Sequence, residues 1–262
     1  MTCKEWFPKW LEHYVRPVSK QKTFSRYSEI VSQHILPAFG DMTLEDITPI
    51  VLQKYITELL ETGNLRTGGG LSANTVNAIV TVIQSALKVA NNLGYLAVYT
   101  SDKVKRPKMA EKQVECFSPV EQKKIEHAVL ADKRPKMFGV LLCLYTGLRI
   151  GELLALEWDD IDFSKGELTV CKTCHDGKAD GKYCRITETP KTLTSRRIVP
   201  IPKQILPLLR EQKKKTHAAF VVGENKEISV RSYQYSFSLL LKSLDIPHHG
   251  FHALRHTFDK SV

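Results

Sequence analysis

The 262-residue chain is 42% hydrophobic and carries 38 Lys and Arg against 28 Asp and Glu, for a formal net charge of +10. That apolar content builds a buried core and excludes a disordered chain; no apolar run approaches the roughly 18 residues of a membrane span, and Met1 to Trp10 lack the apolar centre of a secretory leader, so a cytoplasmic protein is expected. The surplus of cations is spread over both halves, +4 up to Lys112 and +6 beyond it, and points to a polyanionic partner, with duplex nucleic acid foremost.

In chain order, Trp6, Phe7, Trp10, Leu11, Tyr14 and Val15 recur at helical spacing and predict a first helix stopped by Pro17. Tyr27, Ile30, Val31 and Ile35 predict a second, ending at Leu36-Pro37. Thr48 caps a third, carrying Ile50, Val51, Ile56, Leu59 and Leu60 as far as Gly63. After the loop Gly68-Gly69-Gly70, Ser72 opens a fourth, whose stripe Val76, Ile79, Val80, Ile83, Leu87 and Ala90 runs to Leu93-Gly94. Four amphipathic helices make a bundle over residues 1–107. Lys20, Lys22, Arg26, Thr75 and Asn77 fall at its helix starts, where backbone N–H groups and short polar side chains hold phosphate oxygens.

Lys103-Val104-Lys105-Arg106-Pro107-Lys108 is basic and proline-containing, as expected near an interdomain linker, placed at 108–116. Lys105, Arg106 and Lys108 would follow a phosphate backbone. The second domain, 117–262, opens with Ser118-Pro119-Val120-Glu121, a cap, a first-turn proline and an acid. Met137, Phe138, Val140, Leu141, Leu142 and Leu144 make the next helix apolar all round and therefore central, with Gly147 ending it. Arg149 emerges at that edge, where a rigid guanidinium suits bidentate phosphate recognition or an ion pair with Glu152 or Glu157.

Beyond Trp158 the pattern becomes strands, at 160–162, 167–171 and 196–201, a small antiparallel sheet in an otherwise helical α+β protein. Arg196 and Arg197 on the last strand join the candidate DNA contacts, and Lys191 falls in the turn region before it. Cys171, Cys174, His175 and Cys184 have the donor types of a tetrahedral zinc site. Adjacent Cys174-His175, the lack of a second pair at zinc-finger spacing and the turn signal Asp176-Gly177 make a metal the weaker alternative, and no cofactor is expected. Two further helices are predicted, over 203–215 and 229–244, and a last one from near Phe251. On that last helix His252 and Arg255, three apart, share a face as a phosphate-facing pair.

The stretches Thr146-Gly147-Leu148-Arg149-Ile150-Gly151-Glu152-Leu153, Thr189-Pro190-Lys191-Thr192 and His252-Ala253-Leu254-Arg255-His256, in this order, resemble tyrosine recombinases of the phage-integrase type, as found in conjugative transposons and temperate phages. Trp6 to Leu11, His34 to Pro37, Leu71 to Val76 and Pro107-Lys108 resemble that family's helical, SAM-like core-binding domain, and the second half its catalytic domain. The resemblance implies a two-domain clamp on double-stranded DNA, synapsis as a homotetramer, and site-specific recombination or integration without a metal. It gives Arg149 and Arg255 the role of stabilising a pentacoordinate phosphorus, Lys191 that of protonating the departing 5′ oxygen and His252 that of assisting proton transfer. The match runs to Phe258 and Val262, ahead of the point where the family places its tyrosine nucleophile, and Tyr233 and Tyr235 precede the His252 motif. The expectation is a chain that binds DNA and holds most of the phosphate pocket, lacks the attacking group and assembles weakly. The alternative is a non-catalytic DNA-binding regulator or competitor using the same clamp.

Overall fold

The structure, a computed structural model, describes residues 1–109, 114–132, 134–179, 182–188, 196–223 and 227–261. The chain divides into two compact units, Met1–Lys112 and Gln113–Val262.

The first unit is all helical. Helix α1 (Cys3–Trp10) begins in a reciprocal cap: the Thr2 hydroxyl accepts from the Glu5 N–H, and the Glu5 carboxylate accepts from the Thr2 N–H. A π-helical turn, Leu11–Val15, leads to α2 (Gln21–Ile30), and a second, Val31–Ile35, to α3 (Leu36–Phe39). Helix α4 (Pro49–Thr62) is capped by Thr48 and α5 (Ala73–Asn92) by Ser72. One face of each meets a common core that includes Trp6, Phe7, Ile35, Leu52, Ile56, Ile79, Ile83 and Leu87. The buried Trp6 indole N–H is satisfied by the Ala86 carbonyl at 3.0 Å.

Pro37 does not end the second helix as its sequence context predicts. Pro17 and Pro37 each follow a five-residue π turn by two positions. At the second, the Leu36 N–H reaches back five residues to the Val31 carbonyl. A wide turn shifts the carbonyl ladder away from the proline ring, which cannot donate and clashes with the carbonyl four residues back. The chain therefore stays helical to Phe39.

Among the described residues of the second unit, α6 (Pro119–Ala131), α7 (Pro135–Thr146) and α8 (Ile150–Ala155) precede the strands β1 (Ile161–Asp162), β2 (Glu167–Val170), β3 (Thr173–Ala179), β4 (Lys182–Glu188) and β5 (Arg197–Pro200). Helices α9 (Leu206–Lys215), α10 (Val230–Ser243) and α11 (His252–Ser261) follow. Strands β1, β2 and β5 form an antiparallel sheet in that order, with Leu168 opposite Val199. Leu168, Val170 and Val199 are buried while Ile198 is 62% exposed, the period-two alternation of a sheet with one wet face. Helix α7, almost wholly buried, lies in the core, with Tyr233 and Phe237 from α10 and Leu254 from α11 in the same cluster.

Strands β3 and β4 form a separate hairpin, which corrects the reading of Asp176-Gly177 as a turn. Both residues lie within β3, opposite Arg185 and Cys184. Asp176 acts at a distance: its carboxylate accepts the Val230 and Arg231 N–H groups, both at 2.9 Å, and so caps α10 from another element. At Gly177 a Cβ would fall 2.5 Å from Ile186 Cδ1. By strand alternation Cys174 and Cys184 project to opposite faces of the hairpin, the first buried and the second exposed. Among the described residues no group of three or more His, Cys, Asp or Glu side chains is placed to hold a metal, and no helix is long and apolar enough to cross a membrane.

Candidate functional site

The site is built on the reversal between α7 and α8. Gly147 ends α7 with φ +62, in the left-handed region, its N–H closing on the Cys143 carbonyl at 2.9 Å. Glycine is required there twice over, since a Cβ would also fall 2.5 Å from the Phe258 ring on α11. The Gly147 carbonyl accepts from Arg255 Nη1 at 2.6 Å, which ties α11 to the same reversal. Arg149 follows two residues later as the N-cap of α8.

Arg149 is fixed from below by Glu152. The Arg149 backbone N–H donates to Glu152 Oε2 and its Nη1 to Oε1, both at 3.0 Å. Glu152 is 7% exposed, whereas the Arg149 side chain is 54% exposed. Arg197 on β5 reaches the same carboxylate, Nη1 to Oε1 at 3.0 Å and Nη2 to Oε2 at 2.8 Å. Burial pushes the Glu152 carboxyl up, but Arg197's hydrogen bonds, the Arg149 amide and both nearby guanidinium groups outweigh it and hold the pKa below the ordinary carboxylate value. Four donors fill the carboxylate's capacity. Only one of Arg149's five guanidinium N–H groups is engaged among the described residues, so a bidentate fork remains for an external anion.

His252 is exposed on α11, its ring 4.6 Å from that of His256 and nearly perpendicular to it. Partial burial, then His256, Arg255 and Arg149, lower its pKa, so the imidazole is neutral at physiological pH. Arg255 has its remaining charge contact, with Asp259, at a long 3.7 Å. Two guanidinium groups and an imidazole have the chemistry to stabilise charge on a tetrahedral or pentacoordinate oxyanion and to exchange a proton with it.

The Arg255 to Gly147 hydrogen bond thus joins α11, which carries His252 and Arg255, to the reversal that bears Arg149. Lys191 lies outside the described residues. Arg196 is exposed immediately before β5, but Arg197, expected to face DNA, is engaged inside the chain by Glu152. Glu152 as the centre of a three-residue ion cluster went unread; the available signal was a charged residue among Ile150, Leu153, Leu154 and Ala155, all on one short helix. In the first unit Lys20 is the N-cap residue of α2, and Lys22 and Arg26 are exposed along it. Thr75 pairs its hydroxyl with Ser72, and the Asn77 amide donates to the Pro107 carbonyl. Lys105, Arg106 and Lys108 are exposed.

Residues 2–60 match the N-terminal SAM-like domain of phage integrases, and residues 109–261 match the phage integrase family. The chain is 32% identical to a XerC-like tyrosine recombinase of Caldanaerobacter subterraneus subsp. tengcongensis, over 95% of this chain and 69% of that protein. It is 31% identical to the ICEBs1 integrase of Bacillus subtilis strain 168, over 77% of this chain and 52% of that one, and so spans about half the latter's length. Among solved structures, the Tn1549 transposon integrase in complex with a circular intermediate DNA aligns with TM-score 0.81 at 19% identity, over 98% of this chain and 85% of that one. A lambda integrase dimer bound to a core site aligns with TM-score 0.73 at 20% identity, over 99% and 89%. At those identities the structural likeness is one of fold. The sequence matches go further: with the integrase match covering more than half the chain and the SAM-like match ahead of it, this chain belongs to the phage integrase family of tyrosine recombinases.

Proposed function

We propose that residues 1–262 grip duplex DNA and bind the phosphate at which a site-specific recombinase breaks and rejoins a strand, the attacking tyrosine not being among these residues. The observation that carries this is the Arg255 to Gly147 hydrogen bond, which brings the α11 pair to the reversal bearing Arg149. In this reading Arg149 and Arg255 bind the non-bridging phosphate oxygens and hold the charge that accumulates on a pentacoordinate phosphorus. Neutral His252 accepts or relays a proton, and Lys191 protonates the departing 5′ oxygen. The tyrosine on α10 nearest the motif that is buried, Tyr233, donates its hydroxyl to the Lys136 carbonyl at 2.6 Å, and burial drives its pKa well up, so it is a structural group.

Lys20, Lys22, Arg26, Lys105, Arg106, Lys108 and Arg196 supply the sequence-independent grip. The Tn1549 and lambda integrases are seen on DNA, and lambda integrase as a tetramer on a Holliday junction. A tetramer on DNA is the assembly carried over here. The test has two arms. Fluorescence anisotropy on a labelled duplex should show affinity falling steeply with salt. Inorganic phosphate should raise the His252 pKa, read by NMR, in the wild type but not in Arg149→Ala or Arg255→Ala. Absence of both effects sinks the reading, and a covalent adduct between a nicked suicide duplex and any tyrosine of this chain sinks the assignment of the nucleophile.

A further inference from the structure

The basic stretch ahead of the second unit has the composition of a tether, yet its polar groups are individually held. One side chain, Gln53 on α4, pairs with both backbone groups of Lys105: its Oε1 accepts the Lys105 N–H at 2.8 Å and its Nε2 donates to the Lys105 carbonyl at 3.2 Å. This is the bonding of one rung of a β-ladder, supplied by a glutamine 52 residues away. Two positions on, the Pro107 carbonyl accepts from Asn77 Nδ2 at 3.1 Å. Gln84 on α5 donates to the Ser101 carbonyl at 2.6 Å and accepts from Arg106 Nη2. Arg106 Nη1 donates to the Thr81 hydroxyl at 3.0 Å and to the Asn77 carbonyl at 3.5 Å. Val104 packs against the bundle core.

The chemistry of these partners matters. Every acceptor of Arg106 is neutral, and among the described residues no carboxylate pairs with it. Its guanidinium is thereby oriented without being neutralised. Three of its five N–H donors are used, which leaves two for an external oxyanion. Lys105 and Lys108, flanking it, are exposed. A tether made of these residues would have to be ordered whenever it met a polyanion, at a cost in affinity; a stretch already bonded to α4 and α5 avoids most of that cost.

We propose that residues 101–108 form a pre-set cationic strap on the first unit, with Gln53 and Gln84 as its positioning residues, presenting Lys105, Arg106 and Lys108 at fixed places to the phosphate backbone of a nucleic acid. The proposal rests on the DNA-binding reading above and adds to it that the grip is organised before DNA arrives.

Two measurements on the full chain test it. In limited trypsinolysis the bonds after Lys103 and Lys105 are protected in the wild type and cut at least tenfold faster in Gln53→Ala/Gln84→Met, with circular dichroism showing the helices retained; Gln53→Asn serves as the milder variant if the double one unfolds. On a labelled duplex, the glutamine variants lose about five- to tenfold in affinity with an unchanged slope of log affinity against log salt, because no phosphate contact is removed. Lys105→Ala, by contrast, lowers the slope by about one. Wild-type bonds cut as fast as those of the variant overturn the strap. Wild-type DNA binding combined with unchanged affinity in cleaved-open glutamine variants overturns its role alone. A wild type that binds no duplex at any salt removes the underlying DNA reading instead.

Discussion

Arg106 and Arg149 hold a guanidinium at the surface by opposite means. Arg106 rests on a hydroxyl, an amide and a carbonyl, all neutral, while Arg149 rests on a buried carboxylate that it shares with Arg197. Neutral acceptors orient a cation and leave its full field for a partner. A buried carboxylate fixes position more rigidly but must be ionised, so the pocket's geometry depends on pH where the strap's does not. The difference suits the two proposed tasks: a strap would need charge along a repeating backbone, a pocket would need guanidinium groups fixed at one phosphorus.

The comparison breaks most visibly at Glu152. Glu152→Ala removes the common acceptor of two arginines and should cost about 3 kcal/mol in denaturant unfolding, the lower end for breaking a buried ion pair because Arg197 keeps some solvent contact. A loss under about 1 kcal/mol would mean the cluster is ornamental. Its pH signature follows from the depressed pKa: Glu152's contribution is present above the ordinary carboxylate range of about 4.3 and is lost as pH falls through the lower folded value. Glu152→Gln should therefore flatten the acid limb of the stability profile, while Gln53→Ala should leave that limb unchanged.

Next in size, Gly147→Ala combines a left-handed backbone with a collision at Phe258 and should cost about 2 kcal/mol, with displacement of α11 visible as altered His252 and His256 NMR shifts. Smaller again is Arg149→Ala, which removes one of the positive neighbours holding the His252 pKa down; the imidazole should titrate at higher pH, and a shift downward would show that Arg149 does not face it. The smallest effect expected on stability is that of Arg106→Ala, within about 0.5 kcal/mol because its partners can return to water, while its duplex affinity falls at low salt.

Much of the scaffold was legible because its signals are local. Thr48, Ser72, Ser118 and Ser229 each mark a helix start with a hydroxyl that accepts a backbone N–H within three residues. The strands predicted at 167–171 and 196–201 pair over 167–170 and 197–200, and the spacing of His252 and Arg255 put both on α11. Local signals also misled. Leu36-Pro37 read as a stop because the π turn that relieves the proline has no sequence pattern of its own, and Asp176-Gly177 read as a turn although both residues pair within β3.

The sequence by itself determined where the helices begin, which faces are apolar, that Gly147 breaks α7, and that His252 and Arg255 share one face of α11. These follow from interactions spanning a few residues, which any copy of the segment would make. Only the tertiary structure decided which long polar side chain meets which partner: Arg255 with a carbonyl 108 residues away, Arg197 with Glu152 at 45, Gln53 with Lys105 at 52. A flexible side chain on the surface has several partners of nearly equal merit, and the choice is made by which remote segment the packed core brings within 3 Å. Adjacent Arg196 and Arg197 show it most simply, since strand alternation turns one toward Glu152 and leaves the other facing solvent.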